Sequence, residues 1–214
     1  MSQRRYTAVD EFVIKLDRFL TILLEKPGQT GRPYPADGIE DVPLSSSDRC
    51  RSEGLMRVNH AGEVSAQALY KAQAMTARNE EVRETMWRSA NEEIDHLTWC
   101  RNRLEELDRH TSYLGPFWFM GSFAIGVAAG IVGDRWNLGF VLETENQVIE
   151  HIEGHLQQLP EQDKRSRAIL EQMKDDEAHH ATVAVYSGAA VLPQPAKRFM
   201  RFMSRVMTTT AYRI

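Results

Sequence analysis

The sequence predicts an all-α protein: a four-helix bundle with a long apolar crossover between its helix pairs and extra helices at both termini. Three observations carry this expectation. Apolar residues recur at alternating steps of three and four from Ser47 almost to Pro193, with no useful stretch of β-type alternation. An uncharged run, Leu114 to Gly133, interrupts that pattern midway. The polar pattern also repeats: a lone Glu63 precedes Glu93-x-x-His96, and a lone Glu145 precedes Glu177-x-x-His180 at nearly the same separation.

Along the chain, residues 8–25 place Val9, Phe12, Val13, Leu16, Leu20 and Leu23 at helical spacing. Pro27, Gly28, Gly31, Pro33, Pro35, Gly38 and Pro43 then mark an irregular connection, so 1–44 reads as a terminal helix plus linker. The bundle occupies 45–192, with helices near 47–77, 80–109, 135–159 and 164–187, and 193–214 forms a basic amphipathic tail. With 214 residues, 42% apolar and 26% charged, the chain has the make-up of one soluble domain with a single core. Asp10, Glu11, Lys15, Asp17 and Arg18 stand where a signal peptide needs an uninterrupted apolar core. Cys50 and Cys100 lack metal-type spacing. Both features point to a cytoplasmic chain with free thiols.

The functional argument rests on where six polar side chains fall. In the second bundle helix, Met86, Ala90, Glu93, Leu97, Cys100, Leu104 and Leu107 form one stripe, with Glu93 in its middle. The third gives Leu138, Leu142, Glu145, Ile149, Ile152, Leu156 and Leu159; the fourth gives Leu170, Met173, Glu177, His180 and Ala184. In the first helix, Met56, Asn59, Glu63, Ala66, Tyr70, Gln73 and Ala77 keep the spacing but mix in polar groups, so Glu63 is placed inward chiefly by the repeat.

Four inward carboxylates with no Lys or Arg in the same stripes need cations, because burying an isolated charge outweighs any packing gain. Two divalent metal ions would balance them. Each Glu-x-x-His sets both side chains on one helix face, and carboxylate plus imidazole without thiolate favours iron or manganese. One Glu from each of two helices with Glu-x-x-His from two others is the ligand set of ferritin-like dinuclear bundles. The expected metal ligands are therefore Glu63, Glu93, His96, Glu145, Glu177 and His180. Metal-bound imidazoles normally donate their free N–H, and Glu92 and Asp176, each preceding a ligand Glu, can reach the opposite histidine. His60 is expected as a hydrogen-bonded histidine beside the site rather than a seventh ligand. His151, His155 and His179 fall off the stripes and are expected on the surface or a flank.

Twenty uncharged residues are long enough to span a bilayer, but a spanning segment there would separate Glu93 and His96 from Glu145. The run is therefore expected to be the crossover of the bundle, in contact with one face of a membrane or else buried in protein. Gly126-x-x-x-Gly130 permits close helix packing, within the chain or between copies of it. In the tail, Phe199, Phe202, Met203 and Val206 form an apolar stripe opposite Lys197, Arg198, Arg201 and Arg205. Such a helix suits either an anionic membrane surface or docking on its own bundle. With a net charge of −4 and five tail cations, nothing points to nucleic acid.

Leu55-Met-Arg-Val-Asn-His-Ala-Gly-Glu63, Glu93-Ile-Asp-His96, Glu145 with Gln147 and Val148 after it, and Asp176-Glu-Ala-His-His180 are together distinctive. On these residues the chain resembles the demethoxyubiquinone hydroxylase family of ubiquinone biosynthesis over most of its length. The resemblance implies a membrane-associated di-iron monooxygenase with all six ligand positions present. It implies that O2 supplies one oxygen atom to the ring of a prenylated demethoxybenzoquinol and the other to water. Joined to the charged N-terminus, this leads to the expectation of a peripheral protein on the cytoplasmic side of the membrane. Two electrons are needed, yet no Gly-rich dinucleotide fingerprint occurs. Nicotinamide-derived reduction, which the family implies, then arrives by direct encounter, through the quinone or from a partner. An accessory lipid-binding protein and a second copy of the chain are the other partners left open. The chief alternative is a ferritin-like iron-binding or ferroxidase protein. Manganese catalase and a rubrerythrin-like peroxidase rank lower, the latter for want of extra cysteine pairs.

Overall fold

The computed structural model describes Asp10 and residues 31–214. The helix expected over 8–25 lies outside the described residues except for Asp10. Six helices follow: α1 (Ser46–Thr76), α2 (Glu80–Glu106), α3 (Gly115–Val132), α4 (Asp134–Gln158), α5 (Lys164–Tyr186) and α6 (Gln194–Ala211), with no strand among the described residues. Side-chain oxygens start three of them, as helix N-termini require. Ser45 accepts from the Asp48 N–H, Asn79 from Glu81 and Asp163 from Ser166. The second bundle helix ends earlier than the sequence suggests, because Asp108 turns left-handed at φ 58° and its neighbours close the last turn.

α1 pairs with α2 and α4 with α5, while α1 also faces α4 and α2 faces α5, which makes the four-helix bundle. Two apolar clusters fill it at different heights. Leu55, Met56, Cys100, Leu104, Ile152, Ile169, Leu170 and Met173 form one. Tyr70, Ala74, Met86, Ala90, Leu138, Val141 and Ala184 form the other. The six charged residues of the repeat sit at the level between them.

Away from the core, Arg103 ties one end of the bundle together. It is almost wholly buried, and donates to Ser166 Oγ (2.9 Å), Asp163 (2.9 Å), Glu106 (2.9 Å) and Asp41 (3.1 Å). Such a network is costly to break at one partner, since the others are left buried and unpaired.

The crossover α3 runs along α1 and α4. Gly126 and Gly130 make that approach possible: a Cβ at Gly126 would lie 2.8 Å from Leu69 O and 2.8 Å from Ala72 Cβ. The glycine pair thus packs within the chain. The fully buried alternative for this run does not hold, because only one face has bundle to rest on. Phe117, Met120, Ile131 and Val132 are each more than 60% exposed.

α6 lies across α1 and α4 on Met200, Met207 and Ala211, leaving Phe199, Phe202, Met203 and Val206 exposed. It is docked and amphipathic at once. Lys197 departs from the outward basic set, reaching a buried acid on α4, Glu143, at 2.6 Å.

Candidate metal centre

Regular helix geometry brings the six residues together. Glu63 comes from α1, Glu93 and His96 from α2, Glu145 from α4, and Glu177 and His180 from α5, and all are buried. One histidine gathers Glu93 (3.0 Å), Glu177 (3.2 Å) and Glu63 (3.7 Å) around its Nδ1: this is His96. His180 Nδ1 gathers Glu177 (3.2 Å), Glu93 (3.4 Å) and Glu145 (4.0 Å). Glu93 and Glu177 thus serve both histidines through their two oxygens, while Glu63 and Glu145 each belong to one.

The cluster resolves into two overlapping groups, Glu63–Glu93–His96–Glu177 and Glu93–Glu145–Glu177–His180, whose donor atoms lie within 4.8 Å of one another. Each group offers three carboxylates and one imidazole nitrogen, the donor chemistry of iron or manganese. Buried Glu93 Oε1 and Glu145 Oε1 have no hydrogen-bond partner among the described residues, as expected of oxygens awaiting a cation. These residues fit divalent-metal binding, with Glu93 and Glu177 common to both groups.

The far nitrogen of each histidine is fixed from the opposite helix. His96 Nε2 lies 2.9 Å from Asp176 Oδ2, and His180 Nε2 lies 2.5 Å from Glu92 Oε2. With Nε2–H donating outward, each Nδ1 keeps its lone pair for the centre. Arg32 adds a contact on one side only, binding Asp176 at 2.7 Å and lying over the Trp99 ring.

Electrostatics follow from burial without ions. Desolvation and then the neighbouring Glu93 raise Glu63 well above the usual carboxylate range; desolvation and then Glu177 do the same for Glu145. Burial also opposes charge on His180, but hydrogen bonds to Glu177 and Glu92 overcome it and push the imidazole up to about 12. His96 moves the same way against desolvation, through Glu93 and Asp176. Glu177, despite burial, is pulled below its ordinary value by both histidines. A cation bound among these groups would displace the protons they share.

One sequence expectation needs correction. His60 is buried, but its Nε2 has no hydrogen-bond partner among the described residues. It belongs to neither donor group. Burial, with the Arg101 charge second, lowers it to about 4. His151 and His155 are half-buried on a flank of α4, as expected for residues off its core stripe. They line a cavity of about 230 Å³ between α1, α3, α4 and α6 that has Glu63 in its wall and Phe117, Phe199 and Met203 at its rim. Thr144, Val148, His151 and His155 are spaced 4-3-4 along α4, a second stripe beside the expected one. That stripe was the available signal. The sequence also gave no sign of Glu143, whose partners are Lys197 and Gln147.

Fold and cluster together define a ferritin-like helical bundle built around paired carboxylate–histidine groups. Within that class, the family model described as "Ubiquinone biosynthesis protein COQ7" matches residues 51–211, and the chain belongs to that family. Its relatives include a 3-demethoxyubiquinol 3-hydroxylase of Nitrosococcus oceani, 54% identical over 99% of both chains. One from Polynucleobacter asymbioticus is 51% identical over 96% of this chain and 99% of its own. Another from Stutzerimonas stutzeri is 49% identical over 100% and 99%.

Proposed function

We propose that the chain is a 3-demethoxyubiquinol 3-hydroxylase, a monooxygenase that adds a hydroxyl group to the ring of a prenylated demethoxybenzoquinol with O2. The observation that carries this reading is the apolar cavity joining Glu63 to a surface rim of exposed aromatic and methionine side chains. A ferroxidase has no need of such a passage; a ring with an isoprenoid tail does.

Glu63, His96 and Glu145, His180 would each hold one of two iron ions, with Glu93 and Glu177 shared. Bound there, the iron pair supplies the activation of O2. The chain's own residues do the rest. Asp176 and Glu92 hold the imidazoles in one tautomer and orientation. The two apolar plugs above and below keep bulk water from the centre. Val58, Leu69, Ile125 and Trp118 enclose the tail side of the cavity. The outer faces of α3 and α6 rest on the membrane as a peripheral contact, where the exposed Arg198, Arg201 and Arg205 meet anionic headgroups.

The test is single-turnover reaction of iron-loaded, reduced protein with a short-tailed demethoxyquinol under 18-O-labelled O2. Incorporation of one labelled atom into the ring is expected. Iron oxidation with no ring product would refute the hydroxylase and favour the ferroxidase alternative.

A further inference from the structure

The polar groups of the cavity wall mostly turn back on their own helices. Ser65 Oγ donates to Ala61 O (3.0 Å), Thr144 Oγ1 to Phe140 O (3.0 Å) and Gln147 Nε2 to Glu143 (2.9 Å). None is left to recognise a ligand through its strongest bond. The imidazole of His155 differs, because another helix holds it. Asn59 Nδ2 lies 3.1 Å from His155 Nδ1 and 2.8 Å from Leu55 O. Only an amide nitrogen can serve both, since Leu55 O is an acceptor. Asn59 Oδ1 also lies 3.3 Å from His155 Nδ1, so the Asn59 amide can donate to that nitrogen or accept from it and holds the ring in either neutral tautomer.

Burial, with the neighbouring His151 second, lowers His155 to about 4, so the ring is neutral near pH 7. A neutral imidazole accepting at Nδ1 carries its proton on Nε2. In that tautomer an N–H donor held from another helix stands at the wall of a mainly apolar cavity, which the His151 ring and the unpartnered Trp118 Nε1 also line. Asn59 and Glu63 stand four residues apart on α1, about 6 Å along the axis. That is close to the span of a six-membered ring with oxygens at opposite ends.

Resting on the reading of this cavity as the quinol site, we propose that His155, fixed by Asn59, donates its Nε2–H to one ring oxygen of the substrate and so sets which ring edge faces the metal centre. A quinone carbonyl, a quinol hydroxyl and a methoxy oxygen all accept such a bond, so one donor serves substrate in either redox state. His155 is in this account a substrate-positioning residue, and Asn59 acts through it.

The experiment compares 2-decyl-1,4-benzoquinone with decylbenzene, which has the same tail and ring but no oxygen. The full-length iron-loaded protein is kept anaerobic. Quinone binding is read by quenching of tryptophan fluorescence, Trp118 being in the wall, and decylbenzene binding by competition. His155→Leu is expected to weaken the quinone about tenfold, on the order of one hydrogen bond, with decylbenzene unchanged. His155→Gln, which restores an N–H donor, is expected to recover most of that loss. Equal quinone affinity in wild type and His155→Leu overturns the proposal while the cavity reading stands. Failure of the wild type to bind either molecule overturns the cavity reading, and the proposal with it.

Discussion

Replacing Gly126 by alanine sets two effects of opposite sign against each other. Removing a glycine from a helix interior favours folding by about 1 kcal/mol. Against that, the new methyl would meet Leu69 O at 2.8 Å, Ala72 Cβ at 2.8 Å and Leu69 Cα at 3.1 Å. Two of these obstacles are backbone atoms of α1 and cannot rotate away, so α3 must move outward by several tenths of an ångström. Overpacking of that kind costs about 1–3 kcal/mol, so the variant is expected to be less stable than wild type by about 1 kcal/mol. Gly121 on the same helix supplies the control: nothing lies within 4 Å of a Cβ there. Gly121→Ala keeps only the favourable effect. Urea unfolding of the three proteins should order them Gly121→Ala, wild type, Gly126→Ala, with about 2 kcal/mol between the extremes and a melting gap of about 5 °C. A Gly126→Ala protein as stable as Gly121→Ala would refute the close packing of α3 on α1. The outward shift also opens the cavity between Leu69 and Ile125, so the KM for a quinol is expected to rise.

Other perturbations separate other parts of the structure. His60 is depressed to about 4 in the folded chain and returns to its ordinary value on unfolding, so the unfolded state binds the extra proton. Its contribution is intact above about pH 6.5 and lost at about 1.4 kcal/mol per pH unit as pH falls toward 4. The stability of wild type minus that of His60→Leu should follow this slope in chemical denaturation; a flat difference would count against the buried neutral ring. Asp176→Asn and Glu92→Gln each replace a carboxylate that accepts from a histidine N–H. A loss of about 10–100-fold in affinity for one ferrous ion of the pair is expected by equilibrium titration, and unchanged binding of both would contradict the arrangement. Phe117→Ser with Phe202→Ser removes two exposed aromatics from the proposed membrane face. Cosedimentation with anionic vesicles should fall several-fold, while unfolding stability stays within about 0.5 kcal/mol.

Much of the bundle could be read in the sequence because helical periodicity is local. Glu93, Glu145, Glu177 and His180 stand in apolar stripes whose other members are buried, apart from the half-buried Leu142, Ile149 and Leu156 on α4. Even the reach of Glu92 and Asp176 to opposite histidines follows from a doubled motif on facing helices. What remained hidden is set by contacts between distant segments. The stripe of α1 looked impure because α2, α3, α4 and α6 all cover this helix. Its Gln73 is inward and bonds to Asn137 O on α4 at 3.2 Å. Burial of Glu143 depends on Lys197, far along the chain, and no local pattern announces such a pair. Arg32 sits in a linker whose prolines and glycines gave no hint that it would rest on Trp99 and Asp176. That the flank bearing His151 and His155 lines a cavity was hidden for a related reason: α3 and α6 wall off a face of α4 that a plain four-helix bundle would leave to solvent.

The central claim is a pair of metal ions sharing Glu93 and Glu177, and anaerobic ferrous titration of the full chain tests it most directly. Wild type should bind two equivalents per chain. Glu63→Ala, which alters a ligand of one donor group alone, should retain one of them, whereas Glu177→Ala, which removes a shared ligand, should lose both. A single equivalent in wild type, or Glu177→Ala binding as well as Glu63→Ala, would contradict the shared two-metal centre.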